Sequence, residues 1–195
     1  WDKDSIQIVA TVSAWDCTKD KAEELLSKVE IIAENGLIKA EGPKTSGHRG
    51  FSVSFDVMVP TQSNLELKAL NGGITIADVD GTIRATGVNG SLKLRGLRGD
   101  VSAKAVNGSV SVTLDGNKWQ GSGLEVSTTN GSVKVEGPKE NSANLRASTV
   151  NGSIKFDFPV TVQGIIGKNL QATLGDGGPE INLSTVNGSV KLNNV

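Results

Sequence analysis

The chain has 195 residues, lacks tyrosine and contains few aromatic residues, which make up only 4% of the sequence. Its core must therefore be built from aliphatic side chains. The formal net charge of −1 argues against a dedicated nucleic-acid binder, because such proteins normally carry a strong excess of basic residues. No apolar run approaches the roughly 18 residues of a membrane-spanning helix. We expect a chain that neither binds nucleic acid nor spans a membrane.

Cysteine and histidine are equally scarce, with Cys17 and His48 as the single copies. One cysteine cannot form an internal disulfide, and a thiolate zinc site needs several ligands. His48 is the one candidate general base near neutral pH, but it lies in a polar loop without a nucleophile motif nearby. Cys17 precedes a predicted helix, whose N-terminus could activate the thiol. An exposed loop histidine and a buried or incidental cysteine are the simpler interpretations, so we expect no catalytic residue, metal site or cofactor.

Glycine is abundant, with 24 residues, and much of it belongs to a repeated motif. The motif is Asn-Gly followed by Ser or Gly, and then by two aliphatic residues separated by one other residue. Successive asparagines are 18, 18, 23, 21 and 36 residues apart, and 36 is twice 18. The motif residues are Asn71, Asn89, Asn107, Asn130, Asn151 and Asn187, followed by Gly72, Gly90, Gly108, Gly131, Gly152 and Gly188.

Two architectures are compatible with this repeat. Asn-Gly between alternating segments is a strong hairpin signal and would give an antiparallel meander. A meander, however, does not need the same sequence at every second turn. A coil that returns to the same place every 18 residues does, because each residue then lies above its equivalent in the previous coil. The repeat favours an all-β fold, a parallel β-solenoid of about 18 residues per coil.

The residues after each turn predict which side chains face inward. Two aliphatic columns, such as Ile74 above Leu92, are two residues apart in each strand and share the inner face. The residue between them must face solvent, and in four coils it is a lysine. Together with Trp119, these lysines are candidates for binding a partner. A solvated face that discourages aggregation is the simpler explanation of the lysines, and packing over the side of the solenoid explains Trp119 equally well. The lysines are Lys93, Lys134, Lys155 and Lys191.

The turn residues have a predicted structural role. Ala103 and Ala105 alternate in phase with Asn107, so we expect the asparagines at an inside corner. There each amide could bond to the amide of the next coil or to a backbone group of the turn. The following glycine would supply the positive φ that such a corner needs. These twelve asparagines and glycines are therefore predicted to form a structural turn ladder.

Three insertions interrupt the repeat, near residues 113–125, 136–144 and 157–180. The third separates the last two asparagines by twice the basic period. We therefore expect two further coils of degenerate sequence to pass through it.

The first 60 residues lack the period and alternate between strand and helix patterns. Apolar residues from Thr18 to Val29 have helical spacing, with Thr18 or Asp16 as the N-cap. We expect a single domain over residues 1–195. In it, section 1–60 supplies a short helix and strands that cap the repeat section, residues 61–195.

The stretch Thr-Val-Asn-Gly-Ser-Val at residues 185–190 resembles the repeat of a bacterial family labelled putative adhesin, a domain of unknown function. The same family's layout is similar at Trp1-Asp2-Lys3, Val57-Met58-Val59-Pro60, Trp119-Gln120-Gly121 and Phe156-Asp157-Phe158-Pro159. The resemblance covers nearly the whole chain and implies a parallel β-solenoid in an exported bacterial protein. A first residue other than methionine is a further hint of a removed leader or a trimmed chain.

These observations predict a non-enzymatic, exported protein that is periplasmic, outer-surface or secreted. It would act as an adhesin or as an interaction scaffold of the cell envelope. Its partner would be an unidentified cell-surface, glycan or protein partner, or a second copy through self-association. The alternative is a polysaccharide-binding or polysaccharide-processing β-helix protein, which requires a groove where acidic or basic groups converge within ~10 Å.

Overall fold

The computed structural model describes residues 1, 3–114, 121–138, 142–157, 161–162 and 167–194. Contacts divide the chain into two compact units, Trp1–Pro60 and Thr61–Val195. The division falls where the section without the repeat ends. That the first section caps the second within one domain stays a prediction.

Unit 1 contains two antiparallel strand pairs and one helix. Its elements are β1 (Gln7–Trp15), α1 (Lys19–Leu26), β2 (Glu30–Glu34), β3 (Leu37–Glu41) and β4 (Gly50–Met58). β1 pairs with β4, and β2 pairs with β3. The β2–β3 hairpin turns through Asn35 and Gly36, whose φ values of 51° and 76° are the left-handed pair that a type I′ turn requires. Thr18 caps α1, because its side chain accepts a hydrogen bond from the Lys21 amide at 3.4 Å.

Unit 2 consists of strands that alternate between two sheets. They are β5 (Leu65–Asn71), β6 (Ile74–Ala77), β7 (Ile83–Asn89), β8 (Leu92–Leu97), β9 (Val101–Asn107), β10 (Val110–Leu114), β11 (Gly123–Asn130), β12 (Val133–Gly137), β13 (Ala143–Asn151), β14 (Ile154–Phe156), β15 (Thr161–Val162), β16 (Asn169–Leu174), β17 (Glu180–Asn187) and β18 (Val190–Asn194). Each Asn-Gly motif joins a strand of one sheet to a strand of the other. We call these pairs coils: β5–β6 is coil 1, β7–β8 coil 2, β9–β10 coil 3, β11–β12 coil 4, β13–β14 coil 5 and β17–β18 coil 6.

The coils stack in parallel, as in a solenoid. Equivalent asparagines pair across neighbouring coils, so Asn71 lies opposite Asn89 and Asn89 opposite Asn107. The aliphatic columns point inward, and Leu92, Val110 and Val133 are completely buried. Burying each such side chain contributes about 1.5–3 kcal/mol. The inner columns therefore hold the two sheets together.

The stacking order differs from the order in the sequence. In the eight-stranded sheet it is β15-β16-β13-β17-β11-β9-β7-β5, and in the six-stranded sheet it is β14-β18-β12-β10-β8-β6. Coil 6 therefore lies between coils 4 and 5, parallel to both. The prediction of two degenerate coils within 157–180 is wrong, because coil 6 pairs directly with coil 5. In this segment β16 runs antiparallel to β13, and β15 antiparallel to β16.

Candidate functional site

The asparagines of the repeat form a continuous amide ladder along unit 2. In stacking order, each side-chain amide donates to the Oδ1 atom of the preceding asparagine. The donor–acceptor distances are 3.0 Å for Asn89 to Asn71, 2.9 Å for Asn107 to Asn89, 2.8 Å for Asn130 to Asn107, 2.7 Å for Asn187 to Asn130 and 2.9 Å for Asn151 to Asn187. The ladder fixes the register of all six coils at this corner.

The ladder lies on the outside of the corner, so the predicted inside position is wrong. All six asparagines are exposed. In a regular strand successive side chains alternate between faces. Here the alternation breaks before the turn, since Ala105 is buried but both Val106 and Asn107 are exposed. The bend thus turns the amide outward.

Five of the six ladder glycines are required by close packing between coils. A Cβ atom at Gly131 would overlap the carbonyl oxygen of Gly108 in the coil below, and one at Gly188 would overlap that of Gly131. Gly72 has a φ of +114°, so the predicted positive φ applies there. Gly108, Gly131 and Gly188 do not have positive φ values. At these corners glycine is therefore required because there is no space for a Cβ atom.

Three buried threonines form a second ladder, which the sequence reasoning missed. The Thr128, Thr149 and Thr185 hydroxyls are each buried two residues before a ladder asparagine. They donate to the carbonyl oxygens of Gly108 at 2.7 Å, Gly188 at 2.9 Å and Gly131 at 2.8 Å. Coils 1 to 3 have alanine or glycine at this position. The threonines therefore mark coils 4, 6 and 5, which stack together.

The lysine column lies on the outer face of the six-stranded sheet. Register places Lys191 directly between Lys134 and Lys155, and Lys93 is separated from Lys134 by Ser111. Neighbouring strands are about 4.8 Å apart, so three lysines occupy consecutive rungs. We call Lys134, Lys191 and Lys155 the lysine triad. The position of coil 6 puts Lys191 at the centre of the triad, where a sequential order of coils would put Lys155.

One end of the triad has a carboxylate beside it. Lys134 Nζ lies 2.6 Å from Glu136 Oε1, and Thr113 donates a hydrogen bond to Glu136 Oε2 at 3.2 Å. The Lys134 hydrogen bond, followed by its charge, holds the pKa of Glu136 below its usual value. Lys155 and Lys191 are both exposed. The column therefore presents positive charge to solvent over its last two rungs.

A second candidate site is an open groove of about 380 Å³ at the start of β7, β9, β11 and β17. Its lining includes the carboxylates of Asp100, Glu125 and Glu180. Asp100 Oδ1 accepts hydrogen bonds from the Ser122 amide at 2.6 Å and from the Ser122 hydroxyl at 2.8 Å. The Ser122 hydroxyl, followed by its amide, holds the pKa of Asp100 below its usual value. Asp100 therefore stays ionised and serves as a cap for the start of β11.

Glu125 is similarly held in its ionised form. Its carboxylate lies 2.8 Å from Lys104 Nζ and accepts a hydrogen bond from the Ser102 hydroxyl at 3.2 Å. The hydrogen bond from Lys104 makes the largest contribution to lowering the pKa of Glu125. A glycosidase acid needs a raised pKa, because it must hold a proton at neutral pH. Neither Asp100 nor Glu125 meets this requirement.

Comparison with known proteins places the chain in a family. A family model described as Toastrack DUF4097 matches residues 19–193. The chain belongs to the Toastrack DUF4097 family. This Toastrack chain is also similar to the crystal structure of a putative cell adhesion protein from Clostridium sporogenes. The two share 11% sequence identity with a TM-score of 0.51, over 96% of this chain and 82% of that chain. At this identity the likeness shows a shared fold, and no curated protein matches the chain.

The remaining candidates of the Toastrack chain are Cys17, His48 and Trp119. Cys17 and His48 are both exposed. Of the two simpler interpretations of Cys17, buried or incidental, the buried one is therefore wrong. Asp16 accepts a hydrogen bond from the Cys17 amide at 2.6 Å and lies 3.3 Å from Arg49 Nε, and it does not cap the helix. Trp119 lies outside the described residues.

The described ranges hold neither a metal-binding cluster nor a membrane-spanning helix. They contain no cluster of three or more His, Cys, Asp or Glu side chains suited to a metal ion. In the same ranges no helix has the length and apolar character needed to cross a membrane.

Proposed function

We propose that this Toastrack protein is a non-enzymatic, exported β-solenoid of the bacterial cell envelope. It acts as an adhesin or interaction scaffold that binds an anionic surface polymer. Binding is distributed over stacked side chains on an outer sheet face and does not depend on a deep pocket. The basic repeat of about 18 residues per coil spaces these side chains regularly.

The lysine triad is the observation that carries this proposal. Like charges directly opposite each other on neighbouring strands destabilise a sheet. Lys134, Lys191 and Lys155 nevertheless occupy consecutive rungs. An extended polymer with regularly spaced carboxylate, sulfate or phosphate groups would relieve this repulsion and contact several rungs at once. Charge complementarity therefore favours an anionic polymer over a neutral one.

Two further observations support an interaction role. The protein of similar fold from Clostridium sporogenes is described as a putative cell adhesion protein. The groove carboxylates Asp100 and Glu125 have lowered pKa values and are committed to hydrogen bonds within the fold. That commitment favours a binding protein over a hydrolase.

Charge reversal tests the proposal directly. Lys191→Glu and Lys155→Glu together should weaken binding to immobilised anionic polysaccharides by about tenfold or more, equivalent to about 1.4 kcal/mol. Lys68→Glu with Lys104→Glu, which together make the same charge change on the other sheet, is the matched control and should change affinity less than twofold. Binding of the wild-type chain should also fall as salt is raised, because exposed charges are screened. Equal binding by all variants would exclude the lysine triad as the binding surface.

The alternative is polysaccharide binding or processing in the groove. Asp100, Glu125 and Glu180 lie along one open cleft that could accept the hydroxyl groups of a sugar chain. This alternative predicts that Glu180→Gln reduces glycan binding while the charge reversals at the lysine triad do not. The release of reducing ends from any polysaccharide, lost in Glu180→Gln, would favour processing and contradict a non-enzymatic role.

A further inference from the structure

Coil 6 occupies an opening between two coils that precede it in the sequence. β17 pairs with β11 on one side and with β13 on the other, and both pairs are parallel. β18 lies in the same way between β12 and β14. Coils 4 and 5 are therefore separated by the width of one coil, and coil 6 fills the opening between them. We call this opening the slot.

Coil 6 is held in the slot by the same kinds of contact that join the other coils. Inside the slot, Ile181 aligns with Leu124 and with Leu145, and all three are buried. The Asn187 amide bonds to Asn130, and the Asn151 amide bonds to Asn187. The slot can thus bind any coil that carries the repeat motif, whether or not that coil belongs to the same chain. Coil 6 of a second copy would make the same hydrogen bonds and bury the same side chains.

A glycine-rich connector leads into coil 6. Residues 175–179 pass around the start of β13, where Asn144 donates hydrogen bonds to the carbonyl oxygens of Gly178 and Pro179, both at 2.9 Å. Gly175 and Gly177 have positive φ values of 53° and 77°. Extended, five residues span roughly 17 Å. Opening this connector would be enough to lead coil 6 away from its own slot without disturbing coils 1 to 4.

The seat of coil 6 also contains an unfavourable element. Lys191 enters between Lys134 and Lys155, and like charges on adjacent rungs destabilise a sheet. This repulsion weakens the attachment of β18 relative to the aliphatic contacts of β17. Local opening can therefore begin at β18.

We propose that the slot is a strand-exchange site that accepts coil 6 of a second copy of this chain. Two copies then exchange coil 6 reciprocally, and each slot is filled by the partner's motif. Exchange of an identical element is a low-cost route to dimers, because the contacts in the closed monomer and in the dimer are the same apart from the connector. This proposal does not depend on the binding of an anionic polymer.

Cysteine cross-linking tests the exchange in the full chain, with Cys17→Ser removing the one exposed native thiol. Ser184 lies opposite Ser127 on one side and opposite Ser148 on the other. Residues opposite each other on adjacent strands are about 4.8 Å apart, which a disulfide can bridge. Two strands apart, Ser127 and Ser148 are roughly 9.6 Å from each other, beyond the range of a disulfide.

The decisive sample is a mixture of the single variants Ser127→Cys and Ser184→Cys, incubated at high concentration and then oxidised. We expect a disulfide-linked dimer with about twice the mass of the 20.2 kDa chain, in a yield that rises with protein concentration. A mixture of Ser127→Cys and Ser148→Cys is the control and should give only background dimer. Deleting Asp176 and Gly177 shortens the connector and should shift the sedimentation profile from monomer towards dimer.

The double variant Ser127→Cys/Ser184→Cys in one chain shows whether the pair can form a disulfide. If this double variant closes within one chain but the mixture gives no more dimer than the control, coil 6 is not exchanged. If the double variant does not close either, coil 6 does not occupy the slot, and the proposal fails at its premise.

Discussion

The packing of the glycine corners predicts a large effect of a single methyl group at Gly131. A Cβ atom there would overlap the carbonyl oxygen of Gly108 and must move by about 1 Å to reach an ordinary contact. That movement separates coils 3 and 4 where three hydrogen bonds join them. They run from Gly108 N to Asn130 O at 3.0 Å, from Thr128 Oγ1 to Gly108 O at 2.7 Å and from Asn130 Nδ2 to Asn107 Oδ1 at 2.8 Å.

The magnitude follows from two contributions. Overpacking in a tightly packed site costs about 1–3 kcal/mol, and each weakened hydrogen bond contributes about 0.5–1.5 kcal/mol. We therefore expect Gly131→Ala to reduce the free energy of unfolding by about 4 kcal/mol. For a chain of this length that corresponds to a fall in melting temperature of about 10 °C.

Gly123→Ala provides a matched control in the same coil. A Cβ atom at Gly123 would meet nothing within 4 Å, and its φ is not positive. In urea denaturation followed by circular dichroism, Gly123→Ala should lie within about 0.5 kcal/mol of the wild type, as is usual for a surface substitution. If Gly131→Ala unfolds within 1 kcal/mol of Gly123→Ala, the carbonyl contact does not determine the choice of glycine at these corners.

Two further predictions concern the amide ladder and the groove. Asn130→Ala removes two ladder hydrogen bonds and should destabilise the chain by about 1–2 kcal/mol, whereas Asn71→Ala removes one and should cost about half as much; equal losses in urea denaturation would contradict an additive ladder. The pKa of Asp100 is lowered in the folded chain, so its contribution to stability is present above the pKa of the unfolded state and is lost as pH falls through the folded value. The urea midpoint should therefore fall less steeply in Asp100→Asn than in the wild type between pH 5 and about pH 3, and parallel curves would refute this assignment.

Much of unit 2 could be predicted because every coil obeys the same pattern. The alternation around Leu92 and Val110 indicates inward columns, and the structure buries both residues. The stacking order could not be predicted from this pattern. Because the motifs are nearly identical, they show that one Asn-Gly corner stacks on another, but they do not show which two coils are neighbours. The spacing of 36 residues suggested intervening coils only because it equals twice 18. The threonine two residues before the ladder asparagine does not specify the order either, because coils 4, 5 and 6 all carry it and would be neighbours in both arrangements.

The properties of the corner were harder to predict than its existence. Positive φ and close packing both select glycine, and the sequence does not distinguish these causes. Only the approach of Gly188 to the Gly131 carbonyl separates them. Likewise, strand alternation predicted that Asn107 faces inward. The chain bends within two residues of the turn, and the hydrophobic pattern does not indicate this bend.

The internal position of coil 6 restricts how such a protein can change its length during evolution. An ordinary solenoid can gain or lose a repeat at its end, because each new coil needs only one neighbour. Here the slot is one coil wide, coil 6 fills it, and coils 4 and 5 bound it on either side. A tandem duplication of coil 6 would produce a copy with no place between coils 4 and 5. We therefore expect lengthening to occur by duplication among coils 1 to 4, where the stacking order and the gene order agree.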